Sequence, residues 1–292
     1  MNLKLASFLR FIPDKLYLSI GYYSKEKKKM HWRNPVLLNE KLQYLKIYNR
    51  NPLYTAMVDK IAVKDIIKDK IGENIIIPTI ATYDSANDIN FEELPQEFVI
   101  KCSHDSHSAM ICNKSNMDIK TIKKFLKKRL KENLYWLGRE WPYKNVKPRI
   151  LVEKLIRNND GSPLVDYKFY CYGGKPRYFM YSVGEATHHP INHKFDMNCN
   201  SIDHLFKKTP AIPLDSIKLP SNIQDMISIV EKLCVGEQHI RIDLYNVDGK
   251  IYFGEITFFS GAGFIHMDSQ AFSDELASFI DLSKVYGKKP KA

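Results

Sequence analysis

Residues 239–257, HIRIDLYNVDGKIYFGEIT, constrain the fold more than any other stretch of this chain. Two runs of alternating apolar and polar residues flank Val247-Asp248-Gly249, so the segment reads as a β-hairpin. Alternation puts Arg241, Asp243 and Tyr245 on one face of the first strand, and Phe253, Glu255 and Thr257 on one face of the second. A carboxylate inside each of two adjoining apolar strands is costly to bury without a partner. Magnesium held by carboxylates and phosphate oxygens would supply that partner, with Arg241 a permanent cation for an oxyanion. A plain Arg241–Glu255 cross-strand ion pair would supply it too. Asp243 and Glu255 can share one ion only if both leave the same face of the sheet. A three-residue loop, Val247-Asp248-Gly249, meets that condition by pairing Asn246 with Lys250, Asp243 with Phe253 and Arg241 with Glu255. A two-residue turn at Asp248-Gly249 pairs Asp243 with Gly254 and sends Glu255 to the opposite face. The three-residue loop, with Gly249 left-handed, or another register of the same parity, is therefore the expected one.

The rest of the chain mixes the two periodicities. Residues 36–70 read as helical, with a break at Asn51-Pro52. Short apolar runs at 75–82, 98–102 and 109–112 read as strands, and a helix with one apolar stripe and lysines opposite follows near 118–134. Residues 150–156 read as a strand, 167–181 as a hairpin turning at Gly173-Gly174, and 223–234 as a helix. This order argues for α+β subdomains with antiparallel sheets rather than a doubly wound parallel sheet, with a cleft between subdomains as the site. The expected division is a helical N-terminal region over 1–55, a smaller subdomain over 56–148 and a larger one over 149–292.

Charge narrows the partners. Lys and Arg outnumber Asp and Glu by 44 to 33 over 292 residues, and the excess of +11 favours anionic ligands. Lysines clustered at 25–29 and 120–131 supply a large part of it, mostly as solvated faces. The cysteines Cys102, Cys112, Cys171, Cys199 and Cys234 form no CxxC pair, which indicates neither a disulfide framework nor a zinc site and fits a reducing cytoplasm. The apolar N-terminal stretch is broken by Lys4, Arg10, Asp14 and Lys15, and no run reaches the roughly 18 apolar residues of a bilayer span. A short amphipathic helix there leaves peripheral membrane contact open, with packing against the body of the protein the expected use. RNA-recognition signatures are absent, so nucleic acid is not an expected partner.

Two further segments carry chemistry. FVIKCSHDSHSAMI presents Lys101 at a strand end, before a loop whose N–H groups and hydroxyls, Ser106 among them, can hold phosphate oxygens. ILVEKLI sets Glu153 and Lys154 in a strand whose edge backbone groups could pair with an adenine. Taken with NPVLLNEKLQYLKIYNRNPLYTAMVDKIAVK, DYKFYCYGGKPRYF and the hairpin, these blocks in this order resemble the ATP-grasp superfamily, most closely its TupA-like branch of capsule and teichuronopeptide biosynthesis.

The resemblance implies an ATP-grasp fold of two α+β subdomains enclosing ATP and Mg2+. It implies phosphate-binding lysines at Lys60 and Lys101, an adenine hinge over Glu153, Lys154, Leu155 and Ile156, and a phosphate contact from Lys168 oriented by Asp166. It implies Arg241 as a catalytic cation with Lys168, and Asp243, Glu255 and Thr257 as metal ligands, Thr257 standing where the superfamily has Asn. The implied reaction joins the carboxylate of an anionic sugar or polysaccharide to an amino acid or amine through an acyl phosphate, in the cytoplasm or at the inner face of its membrane. Two departures stand out. No glycine lies between Lys101 and Met110, so Asp105 must point away from phosphate or meet magnesium. His188, His189 and His193 cluster in a stretch the branch does not share, where an anionic acceptor or a metal could bind. A glycosyltransferase acting on the same polysaccharide and a non-catalytic basic binding protein remain the rival readings.

Overall fold

The computed structural model describes residues 8–184, 191–206 and 213–287. Along the chain run α1 (Asp14–Glu26), α2 (Leu38–Tyr48), α3 (Tyr54–Val58), α4 (Val63–Lys70), β1 (Thr79–Tyr83), β2 (Glu97–Cys102), β3 (Met110–Asn113) and α5 (Ile119–Arg129). They are followed by β4 (Ile150–Lys154), β5 (Val165–Tyr172), β6 (Lys175–Val183), β7 (Ile191–Asp196), α6 (Ile223–Cys234), β8 (His239–Val247), β9 (Lys250–Thr257) and α7 (Gln270–Ser278). The described residues form two compact units, one of 8–13, 52–69 and 76–156, the other of 14–51, 70–75 and the residues from 157 onward. Among them no helix is long and apolar enough to cross a membrane.

The first unit is built on an antiparallel sheet in the order β1-β4-β2-β3. Alternation along β2 turns Phe98, Ile100 and Cys102 into a core shared with Ile150 and Val152 of β4 and Ile122 and Leu126 of α5. Asp118 caps α5 by accepting from the N–H groups of Lys120 and Thr121. The opposite face of this sheet carries Lys101 on β2 and Glu153 on β4, in register one step apart: Lys101 faces Leu151, and Glu153 faces Val99. The apolar run 75–82 holds less strand than its composition suggests. Residues Glu73–Ile75 form a 3-10 turn, and the strand begins at Thr79, after Pro78.

The second unit carries a five-stranded antiparallel sheet, β7-β6-β5-β8-β9. Gly173 and Gly174 turn β5 into β6 with φ of 58° and 76°, the left-handed pair that a two-residue hairpin turn needs. β7 is absent from the strands that alternation picks out, because it lies in the histidine-bearing stretch. α6 supplies the buried residues Met226, Ile227, Val230 and Leu233 and packs beside β6 and β8.

The β8–β9 hairpin keeps the expected parity at Asp243 and Glu255 but not the three-residue loop. Val247 pairs with Lys250, so the loop has two residues, Asp248 and Gly249, with φ of 50° and 84°. The Asn246 side chain accepts from the Gly249 N–H at 3.0 Å and closes the turn. The ladder then shifts by one residue between Leu244 and Asp243: Leu244 faces Phe253, Asp243 faces Glu255 and Arg241 faces Thr257. Gly254 is the residue left over, and this β-bulge resets the parity of β9. Both carboxylates therefore leave the same face although the loop has two residues and not three. A side chain at Gly254 has no room, since a Cβ there would lie 2.9 Å from the Asp243 carbonyl oxygen and 3.1 Å from the Tyr245 ring. Gly254→Ala is expected to cost about 1–3 kcal/mol in urea denaturation, through the strain of an overpacked backbone contact. Gly249→Asn, at a turn position that tolerates Asn, should cost much less.

Candidate active site

Five charged side chains converge on one face of the second sheet. Lys168 of β5 is directly opposite Asp243 of β8, which is directly opposite Glu255 of β9, so three neighbouring strands place one charge each in a single row. Arg241 lies two residues along β8 and bends back over that row. Its Nε donates to Asp243 Oδ1 at 2.6 Å, and its Nη2 donates to Asp243 Oδ2 at 2.6 Å and to Glu255 Oε1 at 2.9 Å. Lys168 Nζ donates to the Asp166 carboxylate and reaches Asp243 Oδ2 at 3.4 Å. The Thr257 hydroxyl sits 3.5 Å from Glu255 Oε1. Beside Arg241 on the same face, the Tyr170 ring stacks on Tyr178 with centroids 4.5 Å apart.

Burial makes these charges depend on one another. Asp243 is 1% exposed and Lys168 7%. Burial pulls the proton affinity of Lys168 and Arg241 down, but Asp243 beside each more than offsets it, and both are held above their ordinary values. Burial, and then the neighbouring Asp243 charge, push the Asp166 carboxyl up to about 7, against the pull of Lys168. The cluster thus sets two permanent cations against three carboxyl groups, one of which keeps its proton below neutrality. Asp166 Oδ1 is buried with no hydrogen-bond partner among the described residues.

The first unit gathers a second set of charges. Glu153 is 4% exposed and accepts from Lys64 on Oε1 and Lys101 on Oε2, each at 2.6 Å. Burial pushes its carboxyl up, but Lys101 and Lys64 more than cancel that and leave it below the usual carboxylate range. Lys64 shifts down as well, because burial and the nearby Lys101 outweigh the single carboxylate it shares. Its ammonium is saturated, donating also to the Ile77 carbonyl at 2.8 Å and the Thr79 hydroxyl at 2.7 Å.

The loop after Lys101 is organised from inside. Asp105 points inward, 2% exposed, where it accepts from Arg129 Nε at 2.7 Å and from the Ser108 hydroxyl. Arg129 Nη2 also donates to the Ser106 carbonyl at 2.6 Å. His107 adopts a left-handed φ of 62°, the conformation a glycine would take without strain. Lys60 is tied to the same loop, its ammonium donating to the Asp105 carbonyl and its N–H to the Ser103 carbonyl at 3.1 Å. Ser106 Oγ shares a hydrogen bond with His107 Nδ1 at 3.0 Å.

Comparison with known families decides what this arrangement belongs to. The profile described as TupA-like ATPgrasp matches residues 40–280, most of the chain. The chain belongs to the TupA-like ATP-grasp family. No curated protein matches the sequence. Among solved structures it is similar to the D-alanine–D-alanine ligase of Bacillus anthracis, at 15% identity and TM-score 0.46, covering 90% of this chain and 82% of that one. It is similar to the D-alanine–D-alanine ligase of Helicobacter pylori, at 16% and 0.45, covering 84% and 69%. It is also similar to an L-amino acid ligase of Bacillus licheniformis, at 12% and 0.47, covering 87% and 57%. None of these reaches a TM-score of 0.5.

As an ATP-grasp ligase the chain uses ATP and Mg2+ to join a carboxylate to an amine. The donor chemistry of the β8–β9 hairpin fits the metal: Asp243 and Glu255 are hard oxygen donors directly opposite each other, and Arg241 and Lys168 already balance them.

Several expectations change. β4 is not an edge strand, because β1 and β2 pair with its two sides, and the Lys154 N–H is taken by the Pro78 carbonyl at 3.0 Å. Only Leu155 and Ile156 lie past the strand, outside either ladder. Arg241 pairs directly across the sheet with Thr257, and it reaches Glu255 diagonally. His193 is no surface ligand: it lies buried in β7, with Nδ1 2.7 Å from Asp203 Oδ2. His188 and His189 lie outside the described residues. Sequence reasoning missed Lys64, four residues beyond Lys60, and Arg129, which stands in a lysine-rich helix that reads as solvated. A cation in line with the buried residues of each helix was the available signal.

Asp166 gives this ligase a pH signature. Its folded-state value, about 7, exceeds its ordinary one of 3.8, so from about pH 4 to about 7 the folded chain holds a proton that the unfolded chain lacks. That contribution to stability is complete at the acid end, falls as pH rises through this window and levels off above it. Asp166→Asn removes it, so denaturant titrations at stepped pH should show the variant gaining on the wild type, by a few kcal/mol in all, between those limits. A gap independent of pH would contradict the assignment.

Proposed function

We propose that the chain activates a substrate carboxylate by transfer of the γ-phosphate of ATP and passes the acyl group to an amine, releasing ADP and phosphate. The observation that carries this reading is the row Lys168, Asp243, Glu255 with Arg241 bound across it. Asp243 and Glu255, with Thr257 at the rim, would hold Mg2+. The ion would supply charge neutralisation on the phosphates. With the carboxylates so engaged, the Arg241 guanidinium becomes available to the oxyanion that develops on the carboxyl or phosphoryl group, and Lys168 to a phosphate oxygen.

In the first unit Lys101 would take phosphate through the ammonium protons that Glu153 leaves unused, and Lys60 and Ser106 would fix the loop or its ligand. Backbone groups at Leu155 and Ile156, beyond the β4 ladders, are the better candidates for adenine, while Glu153 and Lys154 hold the strand that leads there. The inward turn of Asp105 onto Arg129 supports phosphate binding by a loop without glycine, because it removes the negative charge from the loop's outer surface. That observation weighs against a non-catalytic binding protein, and a glycosyltransferase would leave ATP intact.

The carboxylate substrate in this reading is a uronic-acid sugar or polysaccharide and the amine an amino acid, used in building a capsule or other surface polymer. The setting is the cytoplasm or the inner face of its membrane. The basic excess of the chain supports an anionic substrate. The family's setting supports the rest.

Incubation with ATP, Mg2+ and panels of uronic acids and amino acids should yield ADP and phosphate, and hydroxylamine should trap the activated carboxylate as a hydroxamate. Asp243→Asn and Glu255→Gln should each lower turnover by about 10²-fold or more with the fold intact. AMP and pyrophosphate as products would overturn the acyl-phosphate route.

A further inference from the structure

α1 is apolar on two sides, and among the described residues only one of them is buried. Leu18 and Tyr22 are buried, with the Tyr22 ring 6.3 Å from that of Phe264. Leu16, Ile20 and Tyr23 recur at i, i+4 and i+7 on a different face and remain 54%, 57% and 59% exposed. Ile20 and Tyr23 line a shallow hollow there with Lys29 and Met30. A solvated helix face would carry charged or polar residues at these three positions.

Apart from Asp14 in the first turn and Glu26 in the last, the charges around this stripe are positive. Lys25, Lys27, Lys28 and Lys29 close the C-terminal end of the helix, where its dipole already favours cations. Lys27 is held by the Ser24 carbonyl at 2.8 Å, and Lys25 lies over the Phe264 ring. Glu26, the one acid of that turn, accepts from Asn39 at 2.9 Å. The surface therefore offers an aliphatic and aromatic ridge beside a cationic rim, which is the pattern of a helix lying in the plane of an anionic bilayer.

We infer that the exposed face of α1 docks the enzyme on a membrane bearing anionic lipid, with Leu16, Ile20 and Tyr23 entering the headgroup boundary and Lys27, Lys28 and Lys29 on lipid phosphates. The inference deepens the membrane-facing part of the proposed function and is independent of its chemistry, so vesicle binding and ATP turnover fail separately. A free phosphate would engage the lysines alone and leave the apolar ridge without a use.

The test is co-sedimentation of the full chain with vesicles of phosphatidylcholine, alone or with phosphatidylglycerol added. The wild type is expected to pellet with the anionic vesicles, to be released by added salt, and to stay in solution with phosphatidylcholine alone. Leu16→Ser/Ile20→Ser and, separately, Lys28→Glu/Lys29→Glu should each weaken binding about tenfold or more while leaving circular dichroism and ATP turnover unchanged. Three results would overturn the inference: a wild type that ignores anionic vesicles, vesicle binding that neither double variant weakens, or self-association in sedimentation equilibrium abolished by Leu16→Ser/Ile20→Ser. The last would assign the ridge to a second copy of the chain.

Discussion

The cross-strand contact between Asp243 and Glu255, with Arg241 laid over both, is the constraint on which the second unit depends. Two carboxylates directly opposite one another repel, and one of them is all but fully buried. The arrangement persists because Arg241 donates to both and Lys168 approaches from β5. It exists at all because of backbone geometry. The two-residue turn at Asp248-Gly249 on its own would have thrown Glu255 to the far face, and the bulge at Gly254 brings it back. A glycine that carries no side chain therefore decides where a charged side chain two strands from Lys168 points.

The first unit solves the same problem with the signs exchanged. There a single buried carboxylate, Glu153, lies between two ammonium groups, and the lysines differ in what they have left to give. Lys64 is saturated by Glu153, Ile77 and Thr79, so it fixes the carboxylate; Lys101 is held by that carboxylate with donor capacity remaining. Breaking such a set by removing one partner leaves an uncompensated buried charge, which is why these residues act as a unit. The loop after Lys101 is shaped by Arg129 and His107, which do with an inward ion pair and a left-handed histidine what a glycine-rich loop does with backbone freedom.

Much of this was legible in the sequence, and the failures have physical causes. The β5–β6 hairpin could be read because Gly173-Gly174 admits few other turns, and α6 because its apolar residues keep helical spacing. The face shared by Asp243 and Glu255 could be argued from chemistry, but not the route to it, since a bulge shifts period-two alternation without marking itself except by one glycine. β4 offered a signal that went unused: Ile150, Leu151 and Val152 are apolar on both faces, as an interior strand requires. Lys64 and Arg129 could not be separated from solvated helix charges by composition, because whether a helical cation is buried depends on which sheet face it meets.

The account turns on whether Asp243 and Glu255 hold one divalent cation together once nucleotide is bound. Substituting Mn2+ for Mg2+ and following its paramagnetic resonance spectrum during titration, with and without a non-hydrolysable ATP analogue, tests this without turnover. The account predicts tight Mn2+ binding that requires the analogue and is lost to a similar degree in Asp243→Asn and Glu255→Gln. Retention of wild-type Mn2+ affinity by either folded variant would contradict it.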